Sequence, residues 1–185
     1  GADTETTVKR NHQTLDSLAF RPRVLEDVSE LDPSGTLLGQ KLRIPVVLCP
    51  IGSMQDLDPG GGATAARAAA EFGTTSLLSS VCEPGLEAVA EAAPGENRIY
   101  QLYVRGDDAW VDDHARRAID AGYRAFCLTV DLDHYGRRER DIAKRYQSTG
   151  RRRSAKNEVF QERFNWDDVK RFKDTHDIPL IIKGI

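Results

Sequence analysis

The chain has 185 residues and a formal net charge of −3, and 39% of its residues are hydrophobic and 30% charged. This balance is typical of a globular protein long enough to bury one core, and the small acidic surplus argues against a nucleic-acid-binding protein, which needs a basic face. No apolar stretch approaches the roughly 20 residues of a membrane span, and the polar N-terminus shows no secretory signal.

Residues 1–40 read as a polar extension, with a predicted helix over residues 4–17 and short extended segments after it. Strand-sized apolar runs then alternate with helical stretches. The predicted strands cover residues 44–49, 75–79, 98–104, 124–130 and 178–183. The predicted helices cover residues 59–72, 85–93, 107–121 and 166–175, the last capped by Asn165. The polar segment 131–162, which contains Arg151–Arg153, is predicted to be a mobile loop.

The alternation of strands and helices predicts an α/β domain with a parallel sheet and covering helices. The continuous apolar run of residues 44–49 is typical of a strand buried on both faces. Four βα units and a fifth strand make up an N-terminal half of a (β/α)8 TIM barrel, which typically needs about 250 residues. A doubly wound open sheet fits the same pattern, and periodicity does not separate the two.

The cysteines and histidines indicate neither a disulfide framework nor a metal site. Cys49, Cys82 and Cys127 are far apart and form no Cys-x-x-Cys pair. His134 lies nearest the candidate site but has no second candidate ligand at metal spacing. We therefore expect free thiols, no metal, and a reducing compartment such as the cytoplasm.

Polar residues stand where most of the predicted strands end, which in a barrel is the active-site face. They are Ser79, Gln101, Tyr103, Thr129, Asp131 and Lys183, followed by the Gly-Arg-Arg-Glu segment Gly136–Glu139. Taken singly, each has an ordinary explanation; Gln101 and Tyr103 alternate with Tyr100 and Leu102, for example, so either pair can face the helix layer. Taken together at matching strand ends, they indicate a polar ligand site.

Seven segments along the chain carry a more specific pattern. They are Arg21–Ser29, Leu37–Gly39, Pro50–Gly52, Gln101–Val104, Leu128–Asp131, Gly136–Asp141 and Pro179–Ile185. Any one of them alone is weak, but Gln-Leu-Tyr-Val, Thr-Val-Asp and Gly-Arg-Arg-Glu at these intervals are specific in combination. The pattern resembles the FMN-dependent 2-hydroxy-acid oxidase and dehydrogenase family over essentially the whole chain, which implies a TIM barrel with a flavin over its mouth.

The resemblance also implies which residues contact the flavin. They are Pro50, Ile51, Gly52, Ser79, Gln101, Thr129 and Lys183. The first three would line the ring with their backbone, the next three would hydrogen-bond the isoalloxazine, and Lys183 would lie near its N1–C2 edge, where reduced flavin gathers negative charge. Ile51 stands where the family usually has Thr, so one contact is expected to be lost.

For the substrate, the resemblance implies that Tyr103 contacts the hydroxyl or carboxylate and that Arg138 holds the carboxylate, a task suited to a guanidinium. Asp131 would orient the catalytic imidazole, as a carboxylate does in a His–Asp pair. That His belongs to a later His-Gly-Gly-Arg segment of the family, which this chain does not contain. The chain is therefore expected to be the N-terminal half of an enzyme that oxidises a small 2-hydroxy acid, completed by a C-terminal half. Asp133, where the family often has Pro, is expected to loosen the loop that carries Arg138.

Other readings stay open at this point. A non-catalytic half-barrel that serves as a scaffold or binding module would have to cover its two open sheet edges by self-association. A different FMN barrel chemistry, such as isomerisation, is a third reading. In each case we expect a homo-oligomer, and the sequence names neither the 2-hydroxy acid nor the electron acceptor.

Overall fold

The computed structural model describes residues 2–95, 97–132, 134, 136–149 and 159–185. These residues form two compact units. The first contains residues 2–32 and 136–147, and the second contains the remaining described residues, from Pro33 onward.

The described residues contain helices α1 (Thr6–Asp16), α2 (Gly61–Phe72), α3 (Leu86–Ala92), α4 (Asp108–Asp120), α5 (Glu139–Ala143), α6 (Val159–Arg163) and α7 (Trp166–Thr175). The strands are β1 (Gly35–Leu37), β2 (Gln40–Leu42), β3 (Ser76–Ser79), β4 (Arg98–Tyr103), β5 (Ala125–Thr129) and β6 (Leu180–Lys183), and a 3-10 turn spans Met54–Asp56. The N-cap prediction at Asn165 is confirmed, because its side chain accepts from the backbone N–H of Asp167 and forms a capping box with Asp168.

The second unit is built on a parallel sheet with the strand order β3-β4-β5-β6. Leu48 extends it on the β3 side through a parallel bridge to Ser76. Strands that are consecutive in the chain are therefore neighbours throughout, and α3, α4 and α7 lie in the connections between them. A doubly wound sheet reverses its strand order, whereas successive barrel strands do not, so the order favours the barrel.

The two faces of the sheet differ in their partners. Tyr100, Leu102, Phe126 and Leu128 belong to the large core cluster that includes residues of the helices, such as Phe172 of α7. The alternate residues point to the other face, because side chains in a strand alternate with a period of two. There, Ile99, Ala125 and Cys127 form a smaller buried cluster, with Leu37, Leu77 and Ile181 packed against it.

The prediction of a buried strand at residues 44–49 is wrong. Val46, Val47 and Leu48 are 55%, 36% and 39% exposed. Only Leu48 joins the sheet: its N–H donates to the carbonyl of Thr75 and its carbonyl accepts from Leu77, both at 2.9 Å. The run lies at an edge, since β3 is its one neighbour in the described part of the sheet, and an apolar run is buried on both faces only where neighbours cover it.

Strands β1 and β2 form a hairpin in which Leu37 pairs with Gln40. The two residues between them, Leu38 and Gly39, have φ of 50° and 75°. Two consecutive positive φ values define a type I′ turn, whose twist matches that of the strands but which a leucine adopts at a cost.

The predicted mobile loop of residues 131–162 lies partly outside the described residues, as do Arg151–Arg153 and Asp133. Its described parts include α5 and α6. The backbone N–H and the hydroxyl of Thr149 both donate hydrogen bonds to the Asp56 carboxylate, at 3.0 Å and 2.6 Å.

Candidate active site

The polar residues at the carboxyl ends of the strands share one face of the sheet. Strand pairing places Ser79 beside Gln101, Tyr103 beside Thr129, and Thr129 beside Lys183. Each has the same parity as the residues on the face away from the helices. The alternative orientation of Gln101 and Tyr103 is thereby settled, because Tyr100 and Leu102 are the pair that faces the helix layer.

Gln101 and Thr129 form the buried centre of this face. The Gln101 amide nitrogen lies 2.6 Å from the Thr129 hydroxyl oxygen, to which it donates. Gln101 is 0% exposed and Thr129 3%, yet the Gln101 carbonyl oxygen has no hydrogen-bond partner. An unpaired buried acceptor is unfavourable unless a donor arrives from outside the chain, so this atom marks a place where a ligand N–H or O–H fits.

Lys183 brings a positive charge to the same face. Its ammonium nitrogen lies 3.7 Å from Oδ1 of Asp131, and both side chains are partly exposed. One strand over, burial raises the pKa of the Cys127 thiol to about 11, although the charge of Lys183 opposes the shift. The site therefore offers a cation next to a neutral buried thiol.

Gly184 sets the spacing between Asp131 and the end of β6. Its φ is +105°, and a Cβ built on it would lie 2.5 Å from Cβ of Asp131 and 3.1 Å from the backbone nitrogen of Asp131. Only glycine tolerates both the conformation and the close approach. The absence of a side chain at 184 thus allows Asp131 to lie against the strand that carries Lys183.

Tyr103 is anchored through its backbone. Its N–H donates to the Ser80 hydroxyl at 3.2 Å, and the Ser80 N–H donates to the carbonyl of Gln101 at 2.8 Å. The Arg105 guanidinium lies 5.6 Å from the centre of the Tyr103 ring, a cation–π distance. Ser80 therefore connects the end of β3 to Gln101 and Tyr103 of β4.

The segment after residue 49 is tied to the loop that follows β3. The N–H of Ser53 donates to the carbonyl of Val81 at 3.0 Å. A Cβ on Gly52 would lie 2.7 Å from Cγ2 of Val81, so the two loops are in close contact. Pro50 is half-buried, whereas Ile51, 49% exposed, and Gly52 are open to solvent.

Arg138 belongs to the first unit and not to the sheet. It directly precedes α5, and its guanidinium lies 3.8 Å from a carboxylate oxygen of Asp141. Both side chains remain partly exposed, so the ion pair leaves Arg138 open to a further anion. The structure thus brings together Ser79, Gln101, Tyr103, Thr129, Asp131 and Lys183, and places Arg138 in the other unit.

Two contributors were missed at the sequence level, Val81 and Gly184, and Ser80 was recognised there only as a polar residue at a strand end. Ser80 and Val81 act through backbone hydrogen bonds and contacts between loops, which leave no spacing signal. Gly184 had a signal, since a glycine directly after a strand-terminal lysine suggests a positive φ.

The described residues form neither a metal site nor a membrane span. Within the described residues, no group of three or more His, Cys, Asp and Glu side chains is arranged to hold a metal ion. None of the helices in the described ranges has both the length and the apolar character needed to cross a membrane. The described cysteines are all free thiols.

Comparison with known proteins gives consistent matches over the whole chain. A family model described as FMN-dependent dehydrogenase matches residues 1–185. Glycolate oxidase 1 of Oryza sativa subsp. indica is 34% identical, and glycolate oxidase of Spinacia oleracea is 32% identical. Each alignment covers 100% of this chain but 56% of the relative, so the chain spans about half the length of the curated relatives it matches.

Solved structures agree with this result. A mutant of an active chimera of (S)-mandelate dehydrogenase superposes with a TM-score of 0.88 at 25% identity, covering 100% of this chain and 58% of that one. The recombinant flavin-binding domain of baker's yeast flavocytochrome b2 gives 0.88 at 27% identity, covering 100% and 47%. A mandelate oxidase mutant with (S)-mandelic acid gives 0.85 at 27%, covering 100% and 54%.

Proposed function

Because this chain belongs to the FMN-dependent dehydrogenase family, we propose that it forms the N-terminal half of a TIM-barrel flavoenzyme that oxidises a small 2-hydroxy acid to the 2-oxo acid. The observation that carries the proposal is the cluster at the strand ends. A buried, unpartnered amide oxygen, a buried hydroxyl and a lysine ammonium share one face of the parallel sheet. The catalytic base is expected from the C-terminal half.

The cofactor of the family is FMN, and the strand-end residues fit its ring. The unpaired carbonyl oxygen of Gln101 needs a donor, which an N–H group of the isoalloxazine would supply. Thr129 and Ser79, buried on the same face, would complete the polar edge. Lys183 would face the N1–C2 edge, where a fixed cation stabilises the negative charge gained on reduction. The backbone of Pro50, Ile51 and Gly52 would line the ring.

The substrate would be held by its carboxylate and its hydroxyl. The Arg138 guanidinium lies 3.8 Å from a carboxylate oxygen of Asp141, and a substrate carboxylate that bound it in a bidentate manner would make a stronger contact than this one. Tyr103, fixed through Ser80, would contact the hydroxyl or carboxylate. Asp131 would accept a hydrogen bond from the catalytic imidazole and stabilise it when protonated.

Oxidation removes two electrons and two protons from the C2–OH group of the substrate. FMN, when bound, would accept the electron pair and one proton, and the base of the C-terminal half would take the other proton. The residues of this chain bind and orient the acid, hold the charge next to the ring through Lys183, and shape the environment of the base through Asp131.

The test is anaerobic flavin bleaching by a panel of small 2-hydroxy acids, with this chain and the C-terminal half both present. We expect bleaching by at least one acid. Arg138→Lys should raise KM more than kcat falls, since lysine loses the bidentate geometry. Arg145→Lys, in the same unit, is the matched control and should change neither. Failure of every 2-hydroxy acid to bleach the flavin would refute the proposal.

The other readings gain no support. The relatives named above are oxidases, dehydrogenases or a flavocytochrome by name, which does not favour a non-catalytic scaffold or an isomerase. A homo-oligomer remains a prediction that native mass spectrometry tests. A cytoplasmic location also remains a prediction.

A further inference from the structure

Three arginines, Arg137, Arg138 and Arg140, lie within four consecutive residues at and just after the Gly-Arg-Arg-Glu segment, and like charges so close together repel. Each is compensated by a different carboxylate. The pairs are Arg137–Glu139 at 2.5 Å, Arg138–Asp141 at 3.8 Å and Arg140–Glu5 at 2.6 Å. Two of the carboxylates are local, whereas the third comes from the N-terminal end of the chain.

The N-terminal end contacts this segment on both sides of Arg138. Ahead of it, the N–H of Asp3 donates to the carbonyl of Arg137 at 2.6 Å. Beyond it, the Arg140 guanidinium donates to the Glu5 carboxylate across 135 positions of sequence. All of these residues belong to the first compact unit. The segment that carries Arg138 is therefore held before and after that residue.

The chain adopts an unfavourable backbone to make these contacts. Asp3 and Glu5 have φ of 51° and 58°, in the left-handed region that residues with a side chain rarely occupy. Such outliers persist where surrounding contacts fix them, and they concentrate at functional sites. Glu5 is also the more enclosed partner of its pair, with its side chain 25% exposed against 68% for Arg140.

We propose that Glu5 is a positioning residue for substrate binding and acts through Arg140 on Arg138. Glu5 neutralises Arg140, so that Arg140 does not compete for the substrate carboxylate. Arg138, which has the longest of the three ion-pair contacts, then binds that carboxylate. By fixing the segment, Glu5 holds the Arg138 guanidinium in place before the substrate arrives, which lowers the entropy lost on binding. The inference rests on the proposed role of Arg138.

A positioning role and a simple charge effect predict different signs. Glu5→Gln makes the segment more positive, whereas Arg140→Gln makes it less positive, and both break the ion pair. Long-range attraction of an anionic substrate would therefore shift KM in opposite directions in the two variants. Loss of positioning raises KM in both.

The experiment measures KM and kcat of the flavin-loaded enzyme, with the C-terminal half present, for the 2-hydroxy acid that bleaches it best. We expect KM to rise about threefold to fivefold in each variant, the upper range for a partly exposed ion pair, with kcat within about twofold. The reversed pair, Glu5→Arg with Arg140→Glu, should recover most of the loss. Glu26→Gln, at an exposed site in the same unit, is the control and should have no effect.

A second readout does not depend on activity. Brief digestion of the native protein with trypsin, followed by mass spectrometry, measures cleavage after Arg137 and Arg138. Both single variants should be cut faster there by a factor similar to the KM change, and the reversed pair should not. Opposite KM shifts, or unchanged cleavage, would overturn the inference. If the wild type oxidises no 2-hydroxy acid, the proposed function fails by itself, and the cleavage rates still decide whether Glu5 holds the segment.

Discussion

Replacing Gln101 and Thr129 together with apolar residues of similar shape, as Gln101→Leu/Thr129→Val, should stabilise the flavin-free protein and weaken its affinity for FMN. The wild type buries the Gln101 carbonyl oxygen without a partner, which costs about 1–3 kcal/mol. The double variant removes that penalty. It also removes the Gln101–Thr129 hydrogen bond, which contributes about 0.5–1.5 kcal/mol. The net expectation is a gain of about 1 kcal/mol in the free energy of unfolding.

Urea unfolding followed by circular dichroism measures this gain as a higher midpoint at an unchanged slope. The single variant Gln101→Leu is the internal control, because it leaves the buried Thr129 hydroxyl without its donor and should be less stable than the double variant by about 1–3 kcal/mol. In a titration with the C-terminal half present, FMN should bind the double variant about tenfold or more weakly, as expected for the loss of one or more good polar contacts.

Either half of the result can refute the reasoning. A double variant that is destabilised by more than about 1 kcal/mol would mean that the Gln101 oxygen is satisfied in the folded protein. An unchanged FMN affinity would mean that Gln101 and Thr129 are not cofactor ligands, even if the stability change is as expected.

Three further substitutions test local features of the second unit. Leu38→Asn should raise the free energy of unfolding by about 0.5–1 kcal/mol in a urea titration, because asparagine tolerates the positive φ of a type I′ turn. A lower free energy of unfolding would show that the contacts of the Leu38 side chain stabilise the protein by more than its backbone strain destabilises it. Gly184→Ala should lower the free energy of unfolding by about 1–3 kcal/mol, because the added Cβ would clash with Asp131. An unchanged free energy would argue against the close contact between residues 184 and 131. The pKa of Cys127 is raised from 9.0 to about 11 by burial, so the thiol loses its proton at a lower pH in the unfolded chain than in the folded protein. Between pH 9 and 11 the wild type should therefore lose about 2 kcal/mol more than Cys127→Ala, and parallel pH profiles would contradict the assignment.

Much of the sheet could be predicted because its signals are local. The predicted helix over residues 107–121 corresponds to Asp108–Asp120, and the predicted strand over 124–130 to Ala125–Thr129. Strand parity then places the polar strand-end residues on one face, since residues two apart in a strand share a face. Gln101 and Tyr103 left two orientations open, and only the packing of Tyr100 and Leu102 against the helices decided between them.

The features that could not be predicted depend on contacts distant in sequence. The apolar run at residues 44–49 reads as a buried strand, but its exposure depends on how many neighbours it has in the sheet. The pairing of Glu5 with Arg140 spans 135 positions, and no periodicity or motif connects an N-terminal glutamate with an arginine of a distant loop. The same holds for Ser80, whose hydroxyl serves a backbone group of the next strand.

The residues assigned to the flavin and those assigned to the substrate are held by different means. Gln101, Thr129 and Lys183 are placed by the pairing of parallel strands, which side-chain substitutions on the surface leave intact. Arg138 lies in a segment held by the ion pair of Arg140 with Glu5 and by the hydrogen bond from the Asp3 N–H to the Arg137 carbonyl, and a single substitution at Glu5 or Arg140 removes the ion pair. If the proposed roles hold, changes in the first unit should alter which 2-hydroxy acid is accepted and how tightly it binds, whereas changes in the sheet should alter flavin affinity and reduction. Substitutions at Glu5 should therefore change KM for the 2-hydroxy acid, whereas substitutions at Gln101 should change the affinity for FMN, and the two effects should be independent of each other.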